Sequence, residues 1–593
     1  MKKSNIKVIL IIVALIIVLV AIIGISKNLT KNKSLQIDEN NTSEYDYDDA
    51  SYDILTAINI ELEGESINVD SKNVEVNKNV ATIKAGGVYV LSGNLNGSIN
   101  IQTEELVRIV LKNVAIESND GPAIYVKSAD KVIITLDENT TNTLKDCTTY
   151  TDSEASATIY SKDDLIFNGY GTLIVEGNYE DAIVSKDDLK IISGIYDIKA
   201  MNSGIKGKDS VTIKDGNVTV VAQNDCIKST NSEDENKGYV KIKNGTLTLN
   251  AEHDAIQSEN YVFIENGNIN ITTGGGSENS SKVGVETDMF IRGAFMKPDE
   301  QNFKSNENKE DTASYKGIKA QKSISILSGN ITINSADDSI HSNGNVEISG
   351  AEITIESGDD GIHADDLIVI NSGNINITKS YEGIEANNIT INDGNIKVVS
   401  SDDGINISGG NDSSSMMGRP GQNNFSKASD NKLEINGGNI YVNSTGDGLD
   451  SNGSIYVNGG IIYVDGPTDG GNGALDYDVE FIMKGGEIIA AGSAQMAQAI
   501  SNNSTVNCLN ITLSATQKAN SKVSITDSKN NEIISYTPSK QYQSIVIASS
   551  KLTKNETYNI NIDGNKYTSV TISSVVTNIG NSQGMQQMQG PRR

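Results

Sequence analysis

Residues 336–407 read ADDSIHSNGNVEISGAEITIES, GDDGIHADDLIVINSGNINITK, SYEGIEANNITINDGNIKVVS and SDDGINI, one phrase repeated nearly four times. Its apolar anchors are Ile340, Ile362, Ile384 and Ile405, spaced 22, 22 and 21 residues apart. A period in this range marks one supersecondary unit stacked on copies of itself. Each copy alternates Ile or Val with polar residues and turns at Asn-Gly or Ser-Gly, so the unit is all strand. The fold class that follows is all-β, a right-handed parallel β-helix with ~22-residue rungs and a small C-terminal antiparallel β region. The same anchor recurs at Ile183, Ile205, Ile227, Ile256, Ile318, Leu449 and, in altered form, Leu475.

Stacked rungs place equivalent residues about 4.8 Å apart, so columns can be read from the sequence. Two residues before the anchor run Asp181, Ser203, Asp225, Asp254, Lys316, Asp338, Asp360, Glu382, Asp403 and Asp447. One residue earlier stand Tyr315, Asp337, Asp359, Tyr381 and Asp402, and one residue after the anchor stand Lys206, Lys228, Lys319, His341, His363, Glu385, Asp450 and Asp476. All 3 histidines of the chain fall in this strip.

Bare carboxylates one rung apart repel by roughly 3.5 kcal/mol at an effective dielectric of 20. A calcium ion, with oxygen ligands at about 2.4 Å, fits between two such rungs. The candidate metal ligands are Asp337, Asp338, Asp359, Asp360, Glu382, Glu385, Asp402, Asp403, Asp447 and Asp450. The competing reading is turn chemistry, in which Asp and Asn accept backbone hydrogen bonds at corners. It accounts for Asp163/Asp164, Asp187/Asp188, Asp365/Asp366 and Asn387/Asn388, and stays open for the main column. Zinc is disfavoured, because no cysteine accompanies the histidines. Tyr315, Lys316, Lys319, His341, His363 and Tyr381 are the strip residues placed to meet a ligand.

The 593 residues need not form several domains, since a solenoid grows in one dimension. A net charge of -29 repels nucleic acid and favours cations. The 3 cysteines, Cys147, Cys226 and Cys508, are too few and too scattered for a disulfide framework. Residues 1–26 hold lysines followed by the apolar run VILIIVALIIVLVAIIGI at 8–25, which reads as a membrane anchor or a cleaved signal and in either case implies export, anchored at the cell surface if uncleaved and secreted if cleaved. Residues 27–52 form a polar linker. The β-helix is expected over 53–500, with loop inserts near 274–313 and 409–430. A C-terminal β domain or cap follows at 501–575, and 576–593 is assigned as a disordered tail.

Beyond the repeat, AGGVYVLSGNLNGSI, GPAIYVKSADKVIITL, TIYSKDDLIFNGYGTLIVEGNYEDAIVSKDDLKIISG and YQSIVIASSKLTKNETYNI resemble the bacterial carbohydrate-binding β-helix proteins, which are similar in fold to pectate lyases. The resemblance spans about residues 55–575. It implies calcium on the β-helix and recognition of plant cell-wall polysaccharide of cellulose or polygalacturonate type. The absence of Trp and the 5 % aromatic content argue against crystalline cellulose and for an anionic, calcium-bridged glycan. The functional expectation is therefore calcium-dependent, non-catalytic polysaccharide binding. The alternatives are a calcium-dependent lyase using Lys316 or Lys319 as base and a structural adhesin or stalk.

Overall fold

A computed structural model describes residues 49–280, 314–407 and 430–580. The expected membrane anchor or signal at 1–26, nearly all of the linker, most of the first insert and almost all of the second lie outside the described residues. Each rung carries three short strands, as in Ile205–Gly207, Ser210–Ile213 and Asn217–Ala222. Inward residues alternate with outward ones, and the inward set is Ile, Val and Leu because β-branched and bulky apolar side chains pack on a pleated surface. Every strand pairs in parallel with its counterpart one rung on: Ile205 with Ile227, Val211 with Val240, Val218 with Leu247. The anchors stack in one column from Ile183 through Ile405 to Leu449, each fully buried. Leu475 continues it through an isolated parallel bridge to Leu449.

The column also extends upstream, to Ile159, Ile124 and Ile99. Here the spacing widens and the acidic residue before the anchor is missing, so the repeat signature fades although the geometry persists. At the start, Ile58–Gly64 pairs antiparallel with Ser66–Asn68, and Val74–Asn77 with Val80–Ile83. These hairpins cover the edge that an open solenoid would expose.

Two glycine positions show why the repeat is rigid in sequence. Gly394, at the Asp-Gly-Asn corner, has φ +125°, a region that side chains avoid. At Gly383 a Cβ would lie 2.2 Å from the Gly404 carbonyl oxygen and from a methyl of Val398, so the residue before the anchor must be small. Cys226 occupies the same position in its own rung and is free and fully buried.

Parallel stacking stops at Glu487–Gly492, which pairs antiparallel with Tyr542–Ser549, itself antiparallel to Asn507–Gln517. Those strands belong to the long sheet. The separate C-terminal sheet is the antiparallel set Val523–Thr526, Glu532–Tyr536, Thr557–Ile562 and Asn565–Thr571. The tail assignment at 576 needs correction, since Val576–Ile579 is a strand pairing in parallel with Asn507–Gln517. Its Val-Thr-Asn-Ile alternation is too short to stand out in sequence. Among the described residues no helix is long and apolar enough to cross a membrane.

Candidate cation-binding strip

The aspartates before the anchor divide their two oxygens between two tasks. One oxygen accepts a hydrogen bond from the backbone N–H one rung on. Asp181 takes it from Ser203 (2.9 Å), Asp254 from Lys316 (2.8 Å), Asp338 from Asp360 (3.0 Å) and Asp403 from Asp447 (2.6 Å). The other oxygen faces the column just after the anchor. Turn chemistry and cation binding are thus not rivals at these positions, because a carboxylate has acceptor capacity for both.

In the earlier rungs the chain supplies its own cation. Lys206 pairs with Asp181 at 3.3 Å, Lys228 with Asp225 at 2.7 Å and Lys319 with Asp254 at 3.4 Å. Lys316 sits between Asp338 (2.6 Å) and Asp337 (3.0 Å). These carboxylates hold its ammonium protonated, its pKa raised above the ordinary lysine value against the opposing effect of burial. The next rungs use histidine. His341 Nδ1 lies 2.8 Å from Asp338, and His363 Nδ1 lies 3.0 Å from both Asp360 and Glu385, with Nε2 3.2 Å from Asp365. The two rings stack at 4.8 Å. His363 is buried, which would favour the neutral ring, but its carboxylate partners raise its pKa well above the ordinary value and keep it an imidazolium.

Beyond His363 the internal cations end. Among the described residues no Lys, Arg or His forms an ion pair with Glu382, Asp402, Asp403, Asp447 or Asp450. Burial and mutual repulsion push the Glu382, Asp403 and Asp450 carboxyls well above their ordinary values, and Asp447 up to about 7. Ligand-capable oxygens of Asp403, Asp447 and Asp450 lie within 4.8 Å of one another. Asn406 stands in register between Glu385 and Asp450 and is 5 % exposed. Its amide nitrogen donates to Glu382 at 2.8 Å, while Oδ1 has no hydrogen-bond partner among the described residues. Buried carbonyl oxygens are rarely left this way. Gly446 packs against the group so closely that a Cβ there would lie 2.4 Å from an oxygen of Asp402 and of Asp403.

Two further groupings of possible metal ligands are Asp337, Asp338, Asp359 and Asp360, His363, Glu385. In each an internal cation, Lys316 or His363, already occupies the centre of charge. Asp403, Asp447 and Asp450 offer oxygen alone, the donor set that suits a hard divalent cation, and Asn406, in register beside Asp450, adds an amide oxygen next to them. Asn406 escapes a search for acidic columns because an amide carries no charge. Of the remaining strip residues, Tyr315 meets His253 edge-to-face at 5.6 Å, and Tyr381 continues the backbone ladder by donating its N–H to the Asp359 carbonyl at 2.8 Å. The first insert begins along this face: Ser280 Oγ donates to the Gly358 carbonyl at 2.6 Å and Lys379 pairs with Glu278 at 2.7 Å.

Residues 77–361 and 359–419 match the family described as carbohydrate-binding domain-containing protein, more than half of the chain. The chain belongs to that family. A carbohydrate-binding domain-containing protein of Acetivibrio thermocellus is 37 % identical over 150 residues, covering 24 % of this chain and 52 % of the relative, so the chain spans about half the length of that curated protein. A solved structure titled as the polysaccharide lyase-like protein from C. thermocellum, gadolinium derivative, is 36 % identical. It covers 37 % of this chain and 92 % of its own, with a TM-score of 0.36.

Proposed function

We propose that this chain is a calcium-dependent, non-catalytic polysaccharide-binding protein of the bacterial cell surface, held there or exported by its N-terminal segment, and that its ligand is an acidic cell-wall glycan of polygalacturonate type. One observation carries the calcium assignment: among the described residues the strip provides a lysine or histidine for its carboxylates down to His363 and none thereafter, while Asn406 leaves a buried carbonyl oxygen without a partner in that stretch. Asp403, Asn406, Asp447 and Asp450 fit a calcium ion by donor chemistry, and they would hold it. The bound ion would supply positive charge that a carboxylate-bearing sugar can share. Tyr315, His341 and Tyr381 on the same strip would meet such a chain, and the Lys316 and His363 charges neutralise the carboxylates they pair with.

The lyase reading needs a neutral base on this strip. Lys316 is paired with two carboxylates that favour its charged form, which opposes that role. Incubated with polygalacturonate and calcium, the protein should retain the polymer in a pull-down and release a substantial part of it on chelation, with no rise in unsaturated-uronide absorbance over many hours. Sustained product formation lost in Lys316→Ala or Lys319→Ala would replace binding with lyase chemistry.

A further inference from the structure

The same strip carries a second charged feature at its N-terminal end, overlapping the first rungs of the acidic column. Three residues after the anchors stand Lys127, Lys162, Lys186 and Lys208, all exposed. The backbone ladder fixes them in a row: the Lys162 N–H donates to the Val126 carbonyl, that of Lys186 to Ser161 and that of Lys208 to Ser185. Three rung spacings give the row a span of about 14 Å. Lys127 lies 5.0 Å from the Tyr125 ring centroid and Lys186 5.6 Å from that of Tyr160. The two rings meet edge-to-face at 5.6 Å, a buried floor under the lysine stems.

These lysines differ from Lys206, Lys228 and Lys319, each of which neutralises an aspartate of the column. Among the described residues, Lys127, Lys186 and Lys208 have no carboxylate at ion-pair distance, and Lys162 has only the exposed Glu154, at 2.8 Å. Burial and the neighbouring Lys206 and Lys208 push Lys186 below its ordinary value. The aspartates that follow the lysines in sequence are otherwise engaged. Asp163 accepts from the Ala129 N–H at 2.9 Å, Asp164 pairs with Lys131 at 2.9 Å, Asp188 accepts from Ser210 at 2.7 Å, and burial together with the neighbouring Asp209 carboxylate raises Asp187 above its ordinary value, favouring its neutral form. In a chain of net charge -29, a like-charged row whose one ion-pair partner among the described residues is the exposed Glu154 is a site for an external anion.

We infer that Lys127, Lys162, Lys186 and Lys208 form a metal-independent subsite that binds the carboxylates of an acidic polysaccharide directly, one rung per sugar. This rests on the acidic-glycan reading of the strip but not on calcium. A rung of about 4.8 Å is close to the advance of one 1,4-linked sugar ring. A nucleic acid, with one charge per ~1.7 Å of duplex, would meet stronger repulsion from the acidic rungs farther along.

The test is affinity electrophoresis of the full chain through gels containing polygalacturonate, neutral mannan or oligo-dT, with EDTA throughout. Retardation by polygalacturonate alone is expected at low salt and should vanish as salt rises. The fourfold variant Lys127→Gln, Lys162→Gln, Lys186→Gln, Lys208→Gln should bind at least 10-fold more weakly, with the salt slope reduced by roughly 3, while the fourfold Lys→Arg variant binds as wild type. Glu154→Gln should bind more tightly. The Lys→Gln variant should keep any calcium-induced rise in melting temperature, which reports an intact fold. No chelator-resistant binding, equal retardation by oligo-dT, or an unaffected Lys→Gln variant would overturn the inference. So would self-association in polymer-free solution that the Lys→Gln change abolishes, because the row would then serve a second copy of the chain. Chelator-resistant binding with no additional binding in calcium would sink the calcium assignment instead and leave the subsite standing.

Discussion

Asp403 combines two arrangements in one carboxylate: one oxygen caps the Asp447 N–H, and the side chain also joins the oxygen cluster with Asp447 and Asp450. Asn in its place keeps the capping acceptor and removes the charge. Asp403→Asn should therefore leave the metal-free melting temperature unchanged or raised, and lose most of the calcium-induced shift. Asp403→Ala should in addition lose about 1–2 kcal/mol of metal-free stability, since the Asp447 donor is then unpaired. Thermal melts of both variants with and without calcium decide it. A second residue-scale prediction concerns pH. Burial and the Asp209 carboxylate beside it raise Asp187 to about 7. The folded state then binds more protons than the unfolded chain between about pH 4 and 7. Its stabilising contribution is present below about 4 and is lost as pH rises through 7. Asp187→Asn, a permanently neutral donor, should match wild type near pH 5 and exceed it near pH 8 by on the order of 1 kcal/mol after solvent screening. Denaturant melts at the two pH values measure this, and a deficit at pH 8 would contradict it. At this scale the columns of Asp, Lys and His were readable from spacing alone. The pairing of each carboxylate with its own cation was not, because it depends on which oxygen turns toward which neighbour.

Among the elements, the closing of the β-helix hinges on Asp465, at the end of the strand Ile461–Asp465 and 1 % exposed. It accepts hydrogen bonds from Tyr441 (2.9 Å), Tyr536 (2.8 Å) and both the N–H (2.9 Å) and hydroxyl (2.6 Å) of Ser539. Tyr536, on a strand of the separate C-terminal sheet, also stacks on Tyr463 at 4.8 Å. Asp465→Ala should weaken the docking of that sheet by about 3 kcal/mol, since several charge-assisted hydrogen bonds go together. Limited proteolysis should then cut preferentially between 517 and 542 while the rungs around 205–400 stay resistant. Uniform degradation would argue against a local role. The strands themselves were legible because their period is 2 and their corners carry Gly. The strand Val576–Ile579 was not, since its pairing with Asn507–Gln517 is long-range and leaves no local pattern.

Over the whole molecule, the column after the anchor grades from Tyr125 and Tyr160 through Lys206, Lys228 and Lys319 to His341 and His363, then to Glu385, Asn406, Asp450 and Asp476. A solenoid is stabilised chiefly by contacts between neighbouring rungs, so charge cancelled in one rung does little for another several rungs away. The acidic end must find its own counter-charge. Calcium that binds only the folded state should raise stability by about 2.7 kcal/mol at a hundredfold excess over its dissociation constant, and magnesium by less. The repeat and its acidic strip were legible in the period of 22. Its first members, Tyr125 and Tyr160, were hidden because the upstream rungs at Ile124 and Ile159 break that period. The most direct test is an anomalous difference map from crystals grown with calcium. A peak enclosed by Asp403, Asn406, Asp447 and Asp450, with none at the lysine-paired rungs of Asp181, Asp225 and Asp254, is the expected result. An empty map at Asn406, or ions at the lysine rungs, would contradict the claim that external calcium takes over where the chain's own cations end.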